Sequence, residues 1–81
     1  MKLEVKLFAR ARDIAEADVV TLDVPNDARV GDLRIVLAKQ YPALESLIPH
    51  LLIAVGNDYA DDAASLDGVA DVACFPPVSG G

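Results

Sequence analysis

The stretch VGDLRIVLAKQ, residues 30–40, decides the fold of this chain, because it is the main segment with helical periodicity. Its apolar residues recur at intervals of three and four positions: Val30, Leu33, Val36 and Leu37. This spacing predicts a helix that buries one face. Asp32 suits the positive end of the helix dipole, although Arg29 stands where Ser, Thr or Asp would normally form the cap. Tyr41-Pro42 predicts the helix end, since the residue before a proline avoids the helical region.

Two strands are predicted ahead of this helix. From Lys2 to Phe8 apolar and polar residues alternate, which indicates a strand with Phe8 on its polar face. A second strand is predicted from Val19 to Val24, and the polar segment from Ala9 to Ala17 between them reads as a helical turn or loop. The two strands therefore form a hairpin with a wide turn. Pro25-Asn26-Asp27 is typical of the turn that leads into the helix.

Further strands are predicted after the helix. Ala43 to Ile48 reads as a single amphipathic turn, and Leu51 to Val55 as a short, wholly apolar strand. Gly56-Asn57-Asp58 predicts a turn, and the acidic segment from Tyr59 to Gly68 a loop with room for one brief strand. The last strand is Asp71 to Phe75, with Val72 and Cys74 on one face and Ala73 and Phe75 on the other.

This order predicts an α+β fold of the β-grasp type, in which one main helix packs on one face of a mixed sheet. In such a sheet the first and last strands lie side by side and parallel at the centre. The face without the helix then carries Phe8 and Phe75 together. With 81 residues the chain forms one domain, residues 1–77, followed by a flexible tail, residues 78–81.

The tail sequence FPPVSGG, residues 75–81, points to the terminal carboxylate as a reactive group. Pro76 and Pro77 stop the strand, and the glycines that follow have no side chain to pack. Fully extended, residues 78–81 span roughly 13 to 14 Å, enough to reach into a cleft of another protein. The alternative is a frayed end without a chemical role, in a domain that only binds.

Composition excludes several other functions. A formal charge of −6 opposes binding to nucleic acid, and no apolar run approaches the ~20 residues of a membrane helix. Cys74 is the only cysteine, so the chain has no internal disulfide, and we expect a cytoplasmic protein. No catalytic centre is expected either. Cys74 faces the predicted core, and His50 lacks an evident acidic or nucleophilic partner. The spacing of Asp58, Asp61 and Asp62 does not match a calcium loop, so we expect no bound metal.

Phe8 and Phe75 are candidate partner-binding residues, because aromatic anchors dominate protein interfaces. A carboxylate such as that of Gly81 is a poor acceptor for nucleophiles until it is activated, most simply by adenylation with ATP. The sequence has no phosphate loop of the form GxxxxGK[ST]. Activation is therefore expected from a partner enzyme, after which the glycine accepts either sulfur or an amine.

The chain resembles the small subunit of molybdopterin synthase along its whole length. The resemblance is carried by FPPVSGG, by Leu7-Phe8-Ala9 followed by Arg12-Asp13, and by the helix start Val30-Gly31-Asp32-Leu33. It implies a ubiquitin-like sulfur carrier whose Gly81, preceded by Gly80, is adenylated by an E1-like enzyme and converted to a thiocarboxylate with sulfur from a donor. It also implies that the tail enters the large subunit of a heterotetramer, where sulfur passes to cyclic pyranopterin monophosphate.

The resemblance further implies a set of partner-binding residues: Phe8, Arg12, Tyr59, Phe75, Pro76, Pro77, Val78 and Ser79. No cofactor is expected on the chain itself, because ATP is used by the activating enzyme. Two related functions remain open at this point. One is a ubiquitin-like modifier joined to lysines through Gly81, and the other is a sulfur carrier of the thiamine pathway.

Overall fold

The computed structural model describes residues 1–77 and contains a five-stranded mixed sheet. Its elements are β1 (Lys2–Leu7), α1 (Ala9–Ala15), β2 (Val19–Asp23), α2 (Val30–Gln40), the 3-10 turns Pro42–Leu44 and Ile48–His50, β3 (Leu52–Val55), β4 (Asp58–Ala60) and β5 (Asp71–Phe75). The strand order is β2-β1-β5-β3-β4. Only β1 and β5 pair in parallel, and they lie at the centre of the sheet. The predicted β-grasp arrangement is confirmed.

Several element bounds differ from the prediction. β1 and β2 each end one residue earlier, and β3 begins one residue later. The segment after Phe8, predicted as a helical turn or loop, forms the short helix α1. The single amphipathic turn predicted for residues 43–48 is wrong: two 3-10 turns form instead, each with a proline in its first two positions, Pro42 and Pro49. Proline fits there because its missing N–H has no helical partner at a helix start.

The core is aliphatic and lies between the sheet and α2. Leu3, Val5 and Leu7 of β1 point into it, and the polar residues between them face outward. From α2 it receives Val30, Leu33 and Leu37. No polar or charged side chain is buried within residues 1–77, so apolar burial, at about 1.5 to 3 kcal/mol per large side chain, carries the stability. None of the helices in this part of the chain is long and apolar enough to cross a bilayer.

The start of α2 compensates for its unusual cap residue. Arg29 has the extended backbone of a cap but makes no capping bond with its side chain. Instead the Asp32 carboxylate accepts the Arg29 backbone N–H at 2.9 Å. The Gly31 N–H donates to the Asp62 carbonyl at 3.0 Å, and a Cβ at position 31 would come within 3.4 Å of that oxygen. This hydrogen bond holds the β4–β5 loop against the start of the helix, and a Cβ at position 31 would be in ordinary contact with it.

Arg34 ties α2 to the segment that precedes β3. Its guanidinium donates to the carbonyls of Ile48 at 2.5 Å and Leu51 at 2.9 Å, and to the Asp62 carboxylate at 2.7 Å. The side chain is only 18% exposed. Since Leu52 directly follows Leu51, the hydrogen bonds of Arg34, here called the Arg34 anchor, fix where β3 enters the sheet.

The β3–β4 hairpin turns on two residues, Gly56 and Asn57. Val55 pairs with Asp58, and only Gly56 of the two central residues has a positive φ, +64°. This is the pattern of a type II′ turn, which favours glycine at its first central position. The predicted turn is thus confirmed, and the brief strand allowed for in the acidic segment is β4.

Candidate functional site

Phe8 and Phe75 meet on the sheet face that α2 leaves open. In the parallel pair β1–β5, Leu7 lies beside Cys74, and both are buried. Because successive side chains of a strand point to opposite faces, the next residues, Phe8 and Phe75, emerge together on the other face. Their ring centroids are 4.6 Å apart and their planes differ by 10°. The predicted juxtaposition of the two rings is confirmed.

Tyr59 and Leu52 extend this aromatic pair across the sheet. The Tyr59 ring meets Phe75 edge-on, with centroids 6.4 Å apart and an interplanar angle of 84°. Leu52 on β3 is the cross-strand partner of Phe75 and is 46% exposed. We call Phe8, Leu52, Tyr59 and Phe75 the aromatic patch. Exposed aromatic and aliphatic side chains in contact are typical of the centre of a protein interface.

Most of the exposed large apolar side chains belong to this patch or lie beside it. Within residues 1–77 they are Phe8, Val19, Ile35, Leu52 and Tyr59. Val19 is the cross-strand neighbour of Lys6 on β1 and lines a shallow hollow next to Phe8. Ile35 lies on α2, on the covered side of the sheet, and is separate from the patch.

Arg12 lies at the edge of the aromatic patch. It is on α1 and lines the same hollow as Phe8 and Val19. Its Nε is 3.7 Å from the carboxylates of Asp13 and Asp18, and its side chain is half exposed. The structure therefore brings Arg12 beside Phe8 and leaves its guanidinium accessible to a partner.

The chain leaves the sheet at the aromatic patch. β5 ends at Phe75, the half-buried Pro76 follows, and Pro77 is exposed. Two consecutive prolines cannot continue a strand ladder, because neither has a backbone N–H. The predicted roles of Val78, Ser79, Gly80 and Gly81 concern positions outside the described range 1–77.

Cys74 is a core residue, as predicted. Its side chain is fully buried. Burial raises the pKa of the Cys74 thiol to about 12, and the positive charge of Arg34 lowers it by a smaller amount. A nucleophilic cysteine needs an accessible, electropositive setting that favours the thiolate. Cys74 has the opposite surroundings, which exclude it as a nucleophile.

The acidic loop has structural contacts rather than the geometry of a metal site. Asp62 pairs with Arg34, and the Asp61 carboxylate accepts the Ala63 N–H at 3.0 Å. Across residues 1–77 no three metal-binding side chains form a group. His50 is exposed in the second 3-10 turn, and its ring makes no hydrogen bond or ion pair with that part of the chain.

Leu52 is the member of the patch that sequence reasoning missed. The segment from Leu51 to Val55 is wholly apolar, so alternation does not reveal which side chains face outward. The position of Leu52 on the open face becomes evident only from strand pairing, since Leu52 lies opposite Phe75.

Comparisons with known proteins find relatives over the whole chain. The profile of the ThiS family matches residues 5–81. The molybdopterin synthase sulfur carrier subunit of Arabidopsis thaliana is 30% identical over 81 residues, which cover 100% of this chain and 84% of that protein. The small archaeal modifier protein 1 of Haloferax volcanii is 36% identical over 87 residues, covering 98% of this chain and 100% of that protein. The crystal structure of SAMP1 from Haloferax volcanii matches with a TM-score of 0.85 at 34% identity, covering 100% of both chains.

Proposed function

We propose, because this chain belongs to the ThiS family, that it is the sulfur-carrier small subunit of a molybdopterin synthase. In this proposal an E1-like enzyme adenylates the Gly81 carboxylate with ATP, and sulfur from a donor then displaces AMP to give a thiocarboxylate. The tail delivers this sulfur to cyclic pyranopterin monophosphate in the large subunit. The chain itself binds no cofactor, since the ATP is bound by the activating enzyme.

The observation that carries the proposal is the position at which the chain leaves the fold. β5 runs through the centre of the sheet and ends in the aromatic patch, where Pro76 and Pro77 lead outward. A partner that covers the patch therefore also lies next to Pro76 and Pro77. This geometry supports a protein that docks by its open sheet face and presents its C-terminal carboxylate.

The chemistry of the described part of the chain supports the same function by elimination. Its only thiol, Cys74, is buried and protonated, and no metal-binding group of side chains occurs within residues 1–77. In the proposal the reactive group is the carboxylate of Gly81. Adenylation joins one carboxylate oxygen to AMP and releases pyrophosphate, and sulfide supplied by the donor then attacks the acyl carbon and expels AMP, which leaves the thiocarboxylate.

The proposed assembly is a heterotetramer of two large subunits, each carrying one copy of this chain. The Arabidopsis relative, which is named as the sulfur carrier subunit of molybdopterin synthase, supports the pairing with a large subunit. Phe75 and Phe8 are placed at the centre of the contact, with Arg12 and Tyr59 beside them. A buried aromatic anchor of this kind typically contributes more binding energy than most other residues of an interface.

A reconstituted assay tests the proposal. The full chain is combined with the activating enzyme, ATP, a sulfur donor, the large subunit and cyclic pyranopterin monophosphate, and dithiolene formation is measured. Deletion of Gly81 should abolish transfer and leave urea unfolding unchanged, because a terminal residue contributes little burial. Ile35→Ala, on the opposite face, should transfer sulfur like the unmodified chain. Transfer by the chain that lacks Gly81 would refute the proposal.

A second candidate function is protein modification. The small archaeal modifier protein 1 is the more similar of the two relatives, at 36% against 30% identity. In this case the activated Gly81 would accept a lysine amine and form an isopeptide bond. Mass spectrometry of cell extracts supplied with ATP distinguishes the candidates: stable Gly81-lysine adducts favour the modifier. A thiamine-pathway carrier would instead load with sulfur and pass it to a recipient other than the large subunit.

A further inference from the structure

We propose that Ala9 is a positioning residue, which holds the Phe8 ring against Phe75 through a left-handed backbone conformation. Ala9 has a φ of +52° and is the first residue of α1. Its neighbour Phe8 has an extended backbone, with φ −125° and ψ 153°. The change from strand to helix is therefore concentrated in a single residue, directly after the ring that stacks on Phe75.

A left-handed alanine needs a specific explanation. The Cβ of an L-residue then comes too close to the following carbonyl oxygen, so such residues are uncommon unless they are glycine, asparagine or aspartate. Within residues 1–77 only one other non-glycine residue, Glu16, has a positive φ, +57°. Glu16 is the C-cap of α1, where a left-handed residue commonly ends a helix. Ala9 is at the start of α1, where that explanation does not apply.

Packing of the Ala9 side chain does not explain the conformation either. Ala9 is exposed, so its methyl group fills no cavity. Its importance must then lie in the backbone path that it sets. Strained conformations of this kind persist where the surrounding structure fixes them, and they are concentrated at functional positions.

The neighbouring residues show what this path achieves. Leu7 and Ala11 are both buried, and Phe8 between them lies on the open face. The Ala11 N–H donates to the Phe8 carbonyl at 3.2 Å, which closes the turn. Because the change of chain direction from β1 to α1 occurs at Ala9, Phe8 keeps the extended backbone that places its ring beside Phe75. Ala11 can then still point into the core. A right-handed Ala9 would move one of these two side chains.

Nuclear magnetic resonance of the full chain tests the proposal directly. The chain has only two phenylalanines, so phenylalanine-selective labelling reports the ring contact without overlap. Ala9→Asn should keep the contact, because asparagine tolerates the left-handed region, and Ala9→Val should lose it, because a β-branched residue does not. Glu16→Val is the matched control: it meets the same steric conflict at the other end of α1 and should keep the contact, although its melting temperature falls.

The outcomes separate positioning from a general structural role. A folded Ala9→Val chain that retains the ring contact would overturn the proposal, as would an equal loss of the contact in Glu16→Val. Should Ala9→Val fail to fold, Ala9→Gly decides: glycine adopts the left-handed conformation without the steric conflict of a Cβ, so the ring contact should be kept. Loss of the contact in a folded Ala9→Gly chain would then contradict the proposal.

The assignment of a docking role to the stack rests on the proposed function, and affinity for the large subunit tests that part separately. Ala9→Val should bind about tenfold more weakly, whereas Ala9→Asn and Glu16→Val should bind like the unmodified chain. Loss of the ring contact with unchanged affinity would support positioning by Ala9 and count against Phe8 as a docking residue.

Discussion

The rings of Phe8 and Phe75 stack at 4.6 Å although one residue follows the first strand and the other ends the last. The parallel pairing of β1 and β5 makes this contact possible, since it places Leu7 beside Cys74 and the next residues side by side. The end of β5 and the aromatic patch thus occupy the same position.

Phe75→Ala should weaken binding to the large subunit by about 2 kcal/mol or more, roughly 30-fold in Kd. The substitution removes the ring that contacts both Phe8 and Tyr59. Titration calorimetry measures the affinity, and a denaturation curve establishes that the variant is folded. Phe75→Tyr retains the ring and should bind within a few-fold of the unmodified chain. Equal affinities for the alanine variant and the unmodified chain would remove Phe75 from the interface.

Leu52→Ala should reduce the same affinity by about 1 kcal/mol, roughly fivefold. Leu52 is 46% exposed and lies opposite Phe75, so a partner that covers the ring also covers this side chain. The matched control is Ile35→Ala, which truncates a similarly sized, 56% exposed side chain on α2. Only the Leu52 variant should lose affinity, and equal effects at the two positions would mean that the docking surface is not the aromatic patch.

Arg34→Met should lower the free energy of unfolding by about 2 to 4 kcal/mol. It removes the donor of the Leu51 carbonyl and one of the two donors of the Ile48 carbonyl, which still accepts the Leu51 N–H, whereas the bond to the exposed Asp62 contributes less. Urea denaturation measures the change. Lys39→Met, an exposed cation in the last turn of the same helix, should change stability by no more than about 0.5 kcal/mol. A similar small effect for Arg34→Met would show that the anchor does not stabilise the fold.

Cys74 should make stability depend on alkaline pH. Burial raises its pKa from 9.0 to about 12, so the folded chain holds the thiol proton more tightly than the unfolded chain. The contribution of the Cys74 thiol proton to the free energy of unfolding is fully present below pH 9. It is lost as pH rises towards 12, by up to about 1.4 kcal/mol per pH unit. Cys74→Ala removes this dependence and should cost about 1 to 2 kcal/mol at pH 7. Urea unfolding at pH 7, 9 and 10 measures the free energy of unfolding of the unmodified chain and of Cys74→Ala. The difference between these two free energies should become smaller as pH rises, whereas a constant difference would contradict the prediction.

Much of the fold follows from local sequence patterns. The alternation in β1 and β5 and the helical spacing in α2 each reflect one buried face, so they predict both the element and its orientation. Together with the strand order they also predict the contact between Phe8 and Phe75. The observed strand bounds differ from the predicted ones by one residue where a residue such as Phe8 has an extended backbone but does not pair with a neighbouring strand.

Other features depend on contacts that no local pattern encodes. The exposure of Leu52 depends on its register with Phe75, because β3 is apolar on both faces. Arg34 resembles any polar helix residue in the sequence, and its role depends on the carbonyls of Ile48 and Leu51, which the second 3-10 turn brings near it. The left-handed Ala9 likewise has no sequence signal, since alanine is ordinarily a good helix former.

The most direct test of the proposed function is the intact mass of the chain after activation. The chain is incubated with ATP, a sulfur donor and its cognate E1-like enzyme, with the chain that lacks Gly81 as the control. We predict that the full chain gains the mass difference between one sulfur and one oxygen atom, located at Gly81 by fragmentation, and that the control gains nothing. An unchanged mass of the full chain, with an activating enzyme shown to be active, would contradict the sulfur-carrier function.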